Sequence, residues 1–301
     1  MKIGPTLIDD TFAEAFAMRY ARLIVTAHDT HWLDAALREV TGYGASVISC
    51  DAEVGVERLL DSQATPDGRP GAAVLLFGFS AEALAKAVPN RVGQCLMTCP
   101  TTAVFDGAAE NAQRVPLGKH LRFFGDGFQK SKVLDGFRYW RIPVMDGEFV
   151  VAESMGIGKG VAGGNIILQA RDMPPALEAA RRAVQAIQNV DGTVTPFPGG
   201  VVRSGSKVGS RYKALVASTS DAFCPTLRGR VASRLHPEAN CAYEIVVDGV
   251  SETAVRTAMS EAMRAAAGHD IVAISAGNYG GKLGKYHLYL RQLLEGLPSH
   301  T

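Results

Sequence analysis

The sequence predicts an α+β chain in which one order of elements, β-α-β-β-α-β, occurs twice with a β-meander between the copies. Three observations carry that reading. Short β-rich runs alternate with longer stretches whose apolar residues recur at helical spacing. The order of those runs is the same in both halves of the 301 residues. Between the halves lies a different texture, alternating apolar and polar residues and broken by Asp-Gly pairs. The repeated order is the split β-α-β unit of ferredoxin-like folds. Two ferredoxin-like lobes joined through a β-meander are therefore expected, one over residues 1–145 and one over 146–301.

In the first half, residues 22–27 form a β-rich run. Residues 31–40 carry Trp32, Ala35, Ala36 and Val40 at helical spacing, with Thr30 as N-cap and Gly42 beyond the end. Residues 45–50 read as the second strand. The turn-rich stretch Thr65-Pro66-Asp67-Gly68-Arg69-Pro70-Gly71 separates it from a strand at 72–77. Ser80 opens a helix carrying Ala83, Leu84, Ala87 and Val88, and residues 94–98 close the unit as a strand.

The second half repeats the order. Residues 165–170 read as a strand, and residues 174–190 as an alanine-rich helix with proline in its first turn. Residues 193–203 form a strand region interrupted by Pro196, Pro198, Gly199 and Gly200. Residues 241–247 are a strong strand ended by Asp248-Gly249, Ser251 and Glu252 start a helix to about Ala267, and residues 270–275 are again a strand. A long insertion around 204–240 distinguishes this copy. Across the middle, Asp135-Gly136 and Asp146-Gly147 mark hairpins, and the lobe boundary is placed near 145.

Composition bounds what the chain does. A hydrophobic fraction of 47% over this length supports a large core without disulfides or metals. Charged residues make up 20%, below the roughly 25% usual for soluble domains. With a slightly positive mean hydropathy, this points to monomer surface covered in an oligomer. The net charge is +1 with basic residues scattered among acids, which argues against nucleic acid and against an anionic membrane surface as partners. No window approaches the roughly 18 apolar residues of a membrane span, and the N-terminus reaches Asp9-Asp10 without a signal-peptide core. Five irregularly spaced cysteines fit a reduced, cytoplasmic protein.

Several motifs fail on mechanism. Gly158-Lys159-Gly160-Val161-Ala162-Gly163 is spelled like a dinucleotide fingerprint, but a strand rather than a helix follows it. The Gly277–Lys282 stretch lacks P-loop spacing and the Ser/Thr that would hold magnesium. Cys95 and Cys99, read as strand residues, would lie roughly 13 Å apart and share neither zinc nor a disulfide. The seven histidines show no paired metal-ligand spacing, so no metal site is expected. Three glycine-rich stretches beside strand ends, 156–165, 198–200 and 277–284, remain. Each alone reads as turns. Together, with Asn165, Asn278 and Lys282 among them, they favour backbone approaching a ligand, with N–H groups for an anion or oxyanion. Glu244 stands out because it shares strand parity with Ala242 and Val246. A carboxylate on such a face either meets water at an edge or is desolvated, with a raised pKa suited to acid–base work.

The stretches Asp10-Thr11-Phe12-Ala13-Glu14-Ala15-Phe16, Thr65 to Gly71, Phe123-Phe124-Gly125-Asp126-Gly127, Gly163-Gly164-Asn165, Pro196-Phe197-Pro198-Gly199-Gly200 and Ser275 to Gly284 resemble the formylmethanofuran–tetrahydromethanopterin formyltransferase family. The resemblance runs in order from the N-terminus to about residue 290. It implies reversible formyl transfer between the amine of methanofuran and N5 of tetrahydromethanopterin, both carriers being substrates, with no prosthetic group. It implies two lobes per subunit and a homotetrameric core. The Tyr243-Glu244-Ile245-Val246 stretch matches the family's strand with its proposed catalytic glutamate, which maps to Glu244. Substrate contacts are expected at Gly199, Gly200, Lys207, Asn278, Gly280, Gly281 and Lys282, with Arg211 another cation for acidic carrier tails. The neutral, Ala- and Arg-rich composition departs from acidic archaeal members. It points to the bacterial version, the transferase subunit of a formyltransferase/hydrolase complex, whose hydrolase subunits would be partners. Two rivals stand beside this: a formyl-cysteine intermediate through Cys224 or Cys99, and a non-catalytic carrier-binding or scaffolding subunit.

Overall fold

A computed structural model describes residues 1–296. The chain is mixed α/β and forms two compact units, Met18–Gly160 and Met1–Ala17 together with the residues from Val161 onward. The Phe12–Thr26 and Ser154–Ala170 strands run from one unit into the other.

In the unit of residues 18–160, the Phe12–Thr26 strand pairs antiparallel with Gly71–Gly78 on one side and Ala103–Asp106 on the other. Glu53–Leu60 extends the sheet beyond Gly71–Gly78. On the other flank Gly147–Ala152 pairs parallel with Ala103–Asp106, followed by the hairpin strands Phe137–Val144 and Lys130–Leu134. Asp135-Gly136 and Asp146-Gly147 make both hairpin turns, and residue 145 lies in the second. Helices Thr30–Thr41 and Ala81–Arg91 bury Leu33, Leu37, Leu84 and Val88 against Leu23, Val25, Val74 and Leu76. Their starts are set by caps, Asp29 accepting from the Trp32 N–H and Ser80 from that of Ala83. The first cap is one residue before the Thr30 expected.

Two expected strands are corrected here. Residues 45–50 form turns, and the strand is Glu53–Leu60. Its pattern is obscured by two acids that the fold nevertheless buries, Glu53 and Glu57. Arg22 makes this tolerable by gripping Glu57 through two bonds of 2.7 and 2.9 Å. Residues 94–98 do not close the sheet. The chain continues from the helix as a π turn over Val92–Leu96, and the strand is Ala103–Asp106. Cys95 therefore lies in the π turn and Cys99 in the bend after it, neither on a strand; the Cys99 thiol donates to the Trp32 carbonyl at 3.6 Å.

In the other unit, Ser154–Ala170 pairs antiparallel with Cys241–Gly249 and with Ile271–Ser275. Thr6–Ile8 lies parallel to Ile271–Ser275, and Tyr286–Tyr289 pairs with the start of Phe12–Thr26. Helices Met173–Gln188 and Glu252–Ala266 carry a stripe of alanines with Val184, Ile187, Val255, Met259 and Met263 onto Ile166, Leu168, Ile245 and Val247. The small residues let the two helices and the sheet approach closely.

Three further readings change. Residues 156–165 are not a loop but the interior of Ser154–Ala170, with a bulge between Val161 and Gly164 and Gly163 at φ +87. The expected strand at 193–203 shrinks to Thr193–Val194, after which Pro196 and Pro198 break the ladder. Val202 returns to make an isolated antiparallel bridge with Glu244. The Cys241–Gly249 strand runs through Asp248-Gly249 rather than ending before it, because Thr193–Val194 pairs antiparallel with those two residues, and buried Asp248 accepts the Gly163 N–H at 2.9 Å.

Candidate active site

Cys241–Gly249 has one face in the main core, through Ile245 and Val247, and another that carries Ala242, Glu244 and Val246. The inserted segment folds over this second face. Phe223, Leu235 and Ala239 form a small apolar cluster with Ile167 and Val272, and Ala242 packs against it. Ile167 is the register partner of Glu244. The insertion thus supplies an apolar roof beside a carboxylate that a bare sheet would leave in water.

A cavity of about 40 Å³ remains under that roof, with Glu244 in its wall beside Ser206, Ser220 and Cys224. That space is small beside the hundreds of Å³ that enclose drug-sized ligands. Two glycines flank the carboxyl. A Cβ on Gly205 would stand 3.7 Å from Oε2, and one on Gly277 would stand 3.6 Å from Oε1. Main-chain bonds with Val202, 2.7 and 3.0 Å long, pin the Glu244 backbone. No hydrogen bond or ion pair reaches its carboxyl among the described residues. Desolvation alone acts on it and pushes its pKa up to about 7. Such a group takes up and releases a proton near neutrality.

The Gly277–Gly284 loop beside it is held from within. Glu14, 1% exposed, accepts N–H groups from Tyr279, Gly281, Leu283 and Gly284 at 2.5 to 2.8 Å. Burial works to raise the Glu14 pKa, but these four bonds outweigh it and hold the carboxyl below its ordinary value. Asn278 donates to Thr11 Oγ1 and the Phe12 carbonyl, and accepts the Gly280 N–H at 3.2 Å. Asn165 takes the Gly277 N–H at 2.6 Å. The N–H groups of Gly280 and Gly281, expected to face a ligand, are engaged inside the loop. The segment 203–206 differs: all four residues line the Glu244 cavity, and their N–H groups meet no acceptor among the described residues.

The remaining candidates lie around the same unit. Gly199 and Gly200 form a tight turn with φ +62 and +76, and Gly200 backs onto Val184. Lys207, on the insertion, is paired with Asp221, and Lys282 is exposed at the loop tip. Cys224 lines the cavity with Glu244, its thiol donating to the Ser220 carbonyl at 3.4 Å. No cluster of residues able to hold a metal occurs among the described residues. Sequence reasoning missed Glu14 as a structural anion, and it missed Gly205 and Ser220. An acid amid Phe12, Ala13 and Ala15, with a loop of four glycines elsewhere, was the available signal for Glu14. Gly205 had none, because its neighbour Ser220 is fifteen residues away and comes close only through the insertion's fold.

A bare, desolvated carboxyl in the wall of a small cavity marks Glu244 as a candidate acid–base group in this mixed α/β chain. Comparison with known proteins gives the particular family. Residues 1–144 match the family model described as formylmethanofuran-tetrahydromethanopterin formyltransferase, and residues 147–293 match its proximal lobe. The formylmethanofuran–tetrahydromethanopterin formyltransferase of Methylobacillus flagellatus is 52% identical, covering 98% of this chain and all of the relative. The crystal structure of the formyltransferase/hydrolase complex from Methylorubrum extorquens, with methylofuran, contains a chain 46% identical with a TM-score of 0.94, covering 98% of each. The Methanosarcina barkeri formyltransferase structure is 42% identical with a TM-score of 0.92, covering 97% of this chain and 100% of that one. The chain belongs to the formylmethanofuran–tetrahydromethanopterin formyltransferase family, and it is a formyltransferase enzyme.

Proposed function

We propose that Glu244 is the acid–base of formyl transfer between tetrahydromethanopterin N5 and the amine of methanofuran. The acceptor amine attacks the formyl carbon and forms the new C–N bond. The tetrahedral intermediate then expels the donor nitrogen by breaking the old one. Glu244 takes the proton from the incoming nitrogen and returns it to the leaving nitrogen, so no net proton is consumed. The observation that carries this reading is the Glu244 carboxyl, bare of hydrogen bonds, desolvated and flanked by two glycines in a small cavity. The oxyanion of the intermediate would lie against segment 203–206, whose N–H groups are unengaged. Each such donor is typically worth about 3 to 4 kcal/mol. Holding two large carriers in register supplies much of the rest.

The carriers extend beyond the cavity, and we assign their outer contacts to Gly199, Gly200, Lys207, Asn278, Gly280, Gly281 and Lys282. The engaged N–H groups of Gly280 and Gly281 leave carbonyls, backbone surface and the Lys282 charge for this role. We read each half as a ferredoxin-like lobe with the division near residue 145, a reading supported by the order of strands and helices in each half. The relative of known structure in a formyltransferase/hydrolase complex supports this chain's assembly with hydrolase subunits around a homotetrameric core. There it would work in the cytoplasm toward formylmethanofuran, which partner subunits hydrolyse to formate. No described helix is long and apolar enough to cross a membrane.

The deciding assay is formyl transfer between formyl-tetrahydromethanopterin and methanofuran by the purified chain, with Glu244→Gln beside wild type. Cys224 lies in the same cavity, which keeps a formyl-cysteine route as second reading. Full activity in Cys224→Ala would remove it. Carrier binding without turnover, alone and with candidate hydrolase subunits, would favour the scaffold instead; the names of the relatives do not favour that reading.

A further inference from the structure

Asn165 stands on Ser154–Ala170 at the same parity as Ile167, the register partner of Glu244, so amide and carboxyl rise from one face of the sheet. Its side chain is buried and fully engaged. Oδ1 accepts the Gly277 N–H at 2.6 Å, while Nδ2 donates to the carbonyls of Gly277 at 3.1 Å and Gly163 at 3.2 Å. One amide thus holds both main-chain polar groups of Gly277, and the Glu14 N–H adds a longer bond of 3.3 Å to the same carbonyl. Gly277 itself has no positive φ, so its backbone suits any residue. A side chain there would instead fill space, with Cβ 3.3 Å from Asn165 Oδ1 and 3.6 Å from Glu244 Oε1. The glycine answers to the cavity, not to a turn.

We propose that Asn165 is a positioning residue for formyl transfer, clamping Gly277 so that the wall beside Glu244 stays in place and free of side chain. The proposal rests on Glu244 as the acid–base. Only a carboxamide fits, since the site needs one acceptor and two donors in a plane. Aspartate keeps the acceptor but sets a second oxygen against two carbonyls. Alanine leaves both polar groups of Gly277 without their strong partner. Asn165→Ala leaves the charged or titratable groups near Glu244 unchanged, whereas Asn165→Asp adds one carboxyl to them. Arg203, Cys224 and Tyr243 line the cavity, Lys207 pairs with Asp221, Arg234 donates to the Ala276 carbonyl at 3.4 Å, and Glu14 holds the loop.

The test is steady-state formyl transfer against pH for Asn165→Ala, Asn165→Asp and Gly277→Ala, with thermal unfolding of each. Asn165→Ala should lower kcat about 10- to 100-fold, as expected for misplacement of a reacting geometry, with KM nearly unchanged. Its activity profile should bend at lower pH than wild type, because a displaced wall lets more water around Glu244 and lessens its desolvation. Asn165→Asp should lose more as pH rises and its own carboxyl ionises. Gly277→Ala places a methyl 3.3 Å from Asn165 Oδ1 and 3.6 Å from Glu244 Oε1, so kcat should fall with only a small loss of melting midpoint as the amide shifts by a few tenths of an ångström. A folded Asn165→Ala with wild-type kcat and pH profile overturns the proposal, as does full rate in Gly277→Ala. A Glu244→Gln variant at full rate would instead remove the acid–base reading beneath it.

Discussion

Glu14 and Glu244 are carboxylates of one compact unit, both on strands, and the fold treats them in opposite ways. Glu14 receives four main-chain N–H groups; Glu244 receives none. Burial acts to raise both pKa values. For Glu14 the four bonds outweigh it, and the group is held as an anion that shapes a loop. For Glu244 nothing opposes it, and the proton is held until about pH 7. A buried acid is therefore not in itself a catalytic group. What separates the fixed anion Glu14 from the proposed acid–base Glu244 is the number of donors the backbone points at each.

The comparison is broken most directly at Glu244. Glu244→Gln keeps the size and removes the exchangeable proton, so turnover should fall by roughly 100-fold or more, on the scale of acid–base catalysis. A folded variant with full rate would make Glu244 as structural as Glu14. Glu14→Ala should do the opposite kind of damage. It strands four N–H groups and should lower stability by about 3 kcal/mol, read from urea unfolding near neutral pH. Because the folded Glu14 pKa lies below its ordinary value, that contribution is present above the unfolded value of 4.5. It is lost as pH falls through the folded value. The wild-type and Glu14→Ala unfolding curves should therefore converge in acid; a gap that persists there would mean the carboxylate charge is not what holds the loop.

The same contrast explains what the sequence disclosed. The helices at 30–41, 81–91 and 252–266 were legible because their caps and apolar spacing are local. Glu244 was legible because an acid between Ala242 and Val246 breaks the parity of its strand. Residues 53–60 were hidden because Glu53 and Glu57 look solvent-facing until Arg22, over thirty residues away, is brought to Glu57. The glycine loop was read as a ligand cradle because its N–H groups had no visible acceptor; the acceptor was Glu14, some 265 residues earlier. Local chemistry can be read from a sequence. The partner that completes a hydrogen bond over such distances cannot.

A second use of Glu244→Gln sharpens the comparison through stability. The folded pKa of Glu244 is raised from 4.5 to about 7, so the folded state binds the proton more tightly than the unfolded chain. Stability should then fall as pH rises through that window, reaching a penalty of at most about 3 kcal/mol above it. Glutamine carries no such penalty. Glu244→Gln should accordingly unfold later than wild type at about pH 8 and show little difference at about pH 4.5. A variant that is destabilised at both would indicate that the carboxyl makes bonds the fold depends on, as Glu14 does.

The smallest expected effect concerns charge at the rim. Lys282 is exposed at the tip of the loop that Glu14 holds, and it makes no ion pair among the described residues, whereas Lys207 is already matched with Asp221. If the loop tip meets an anionic part of a carrier, Lys282→Ala should raise KM about two- to fivefold with kcat little changed, the scale of one solvent-screened charge. Lys207→Ala should do less, because its loss also frees Asp221. Added salt should erase the Lys282 effect, since surface attraction fades beyond a Debye length while the desolvated chemistry at Glu244 does not. A fall in kcat for Lys282→Ala that salt leaves intact would place the loop tip at the reacting atoms. The division between a held loop and a free carboxyl would then have to be redrawn with the loop on the side of the chemistry.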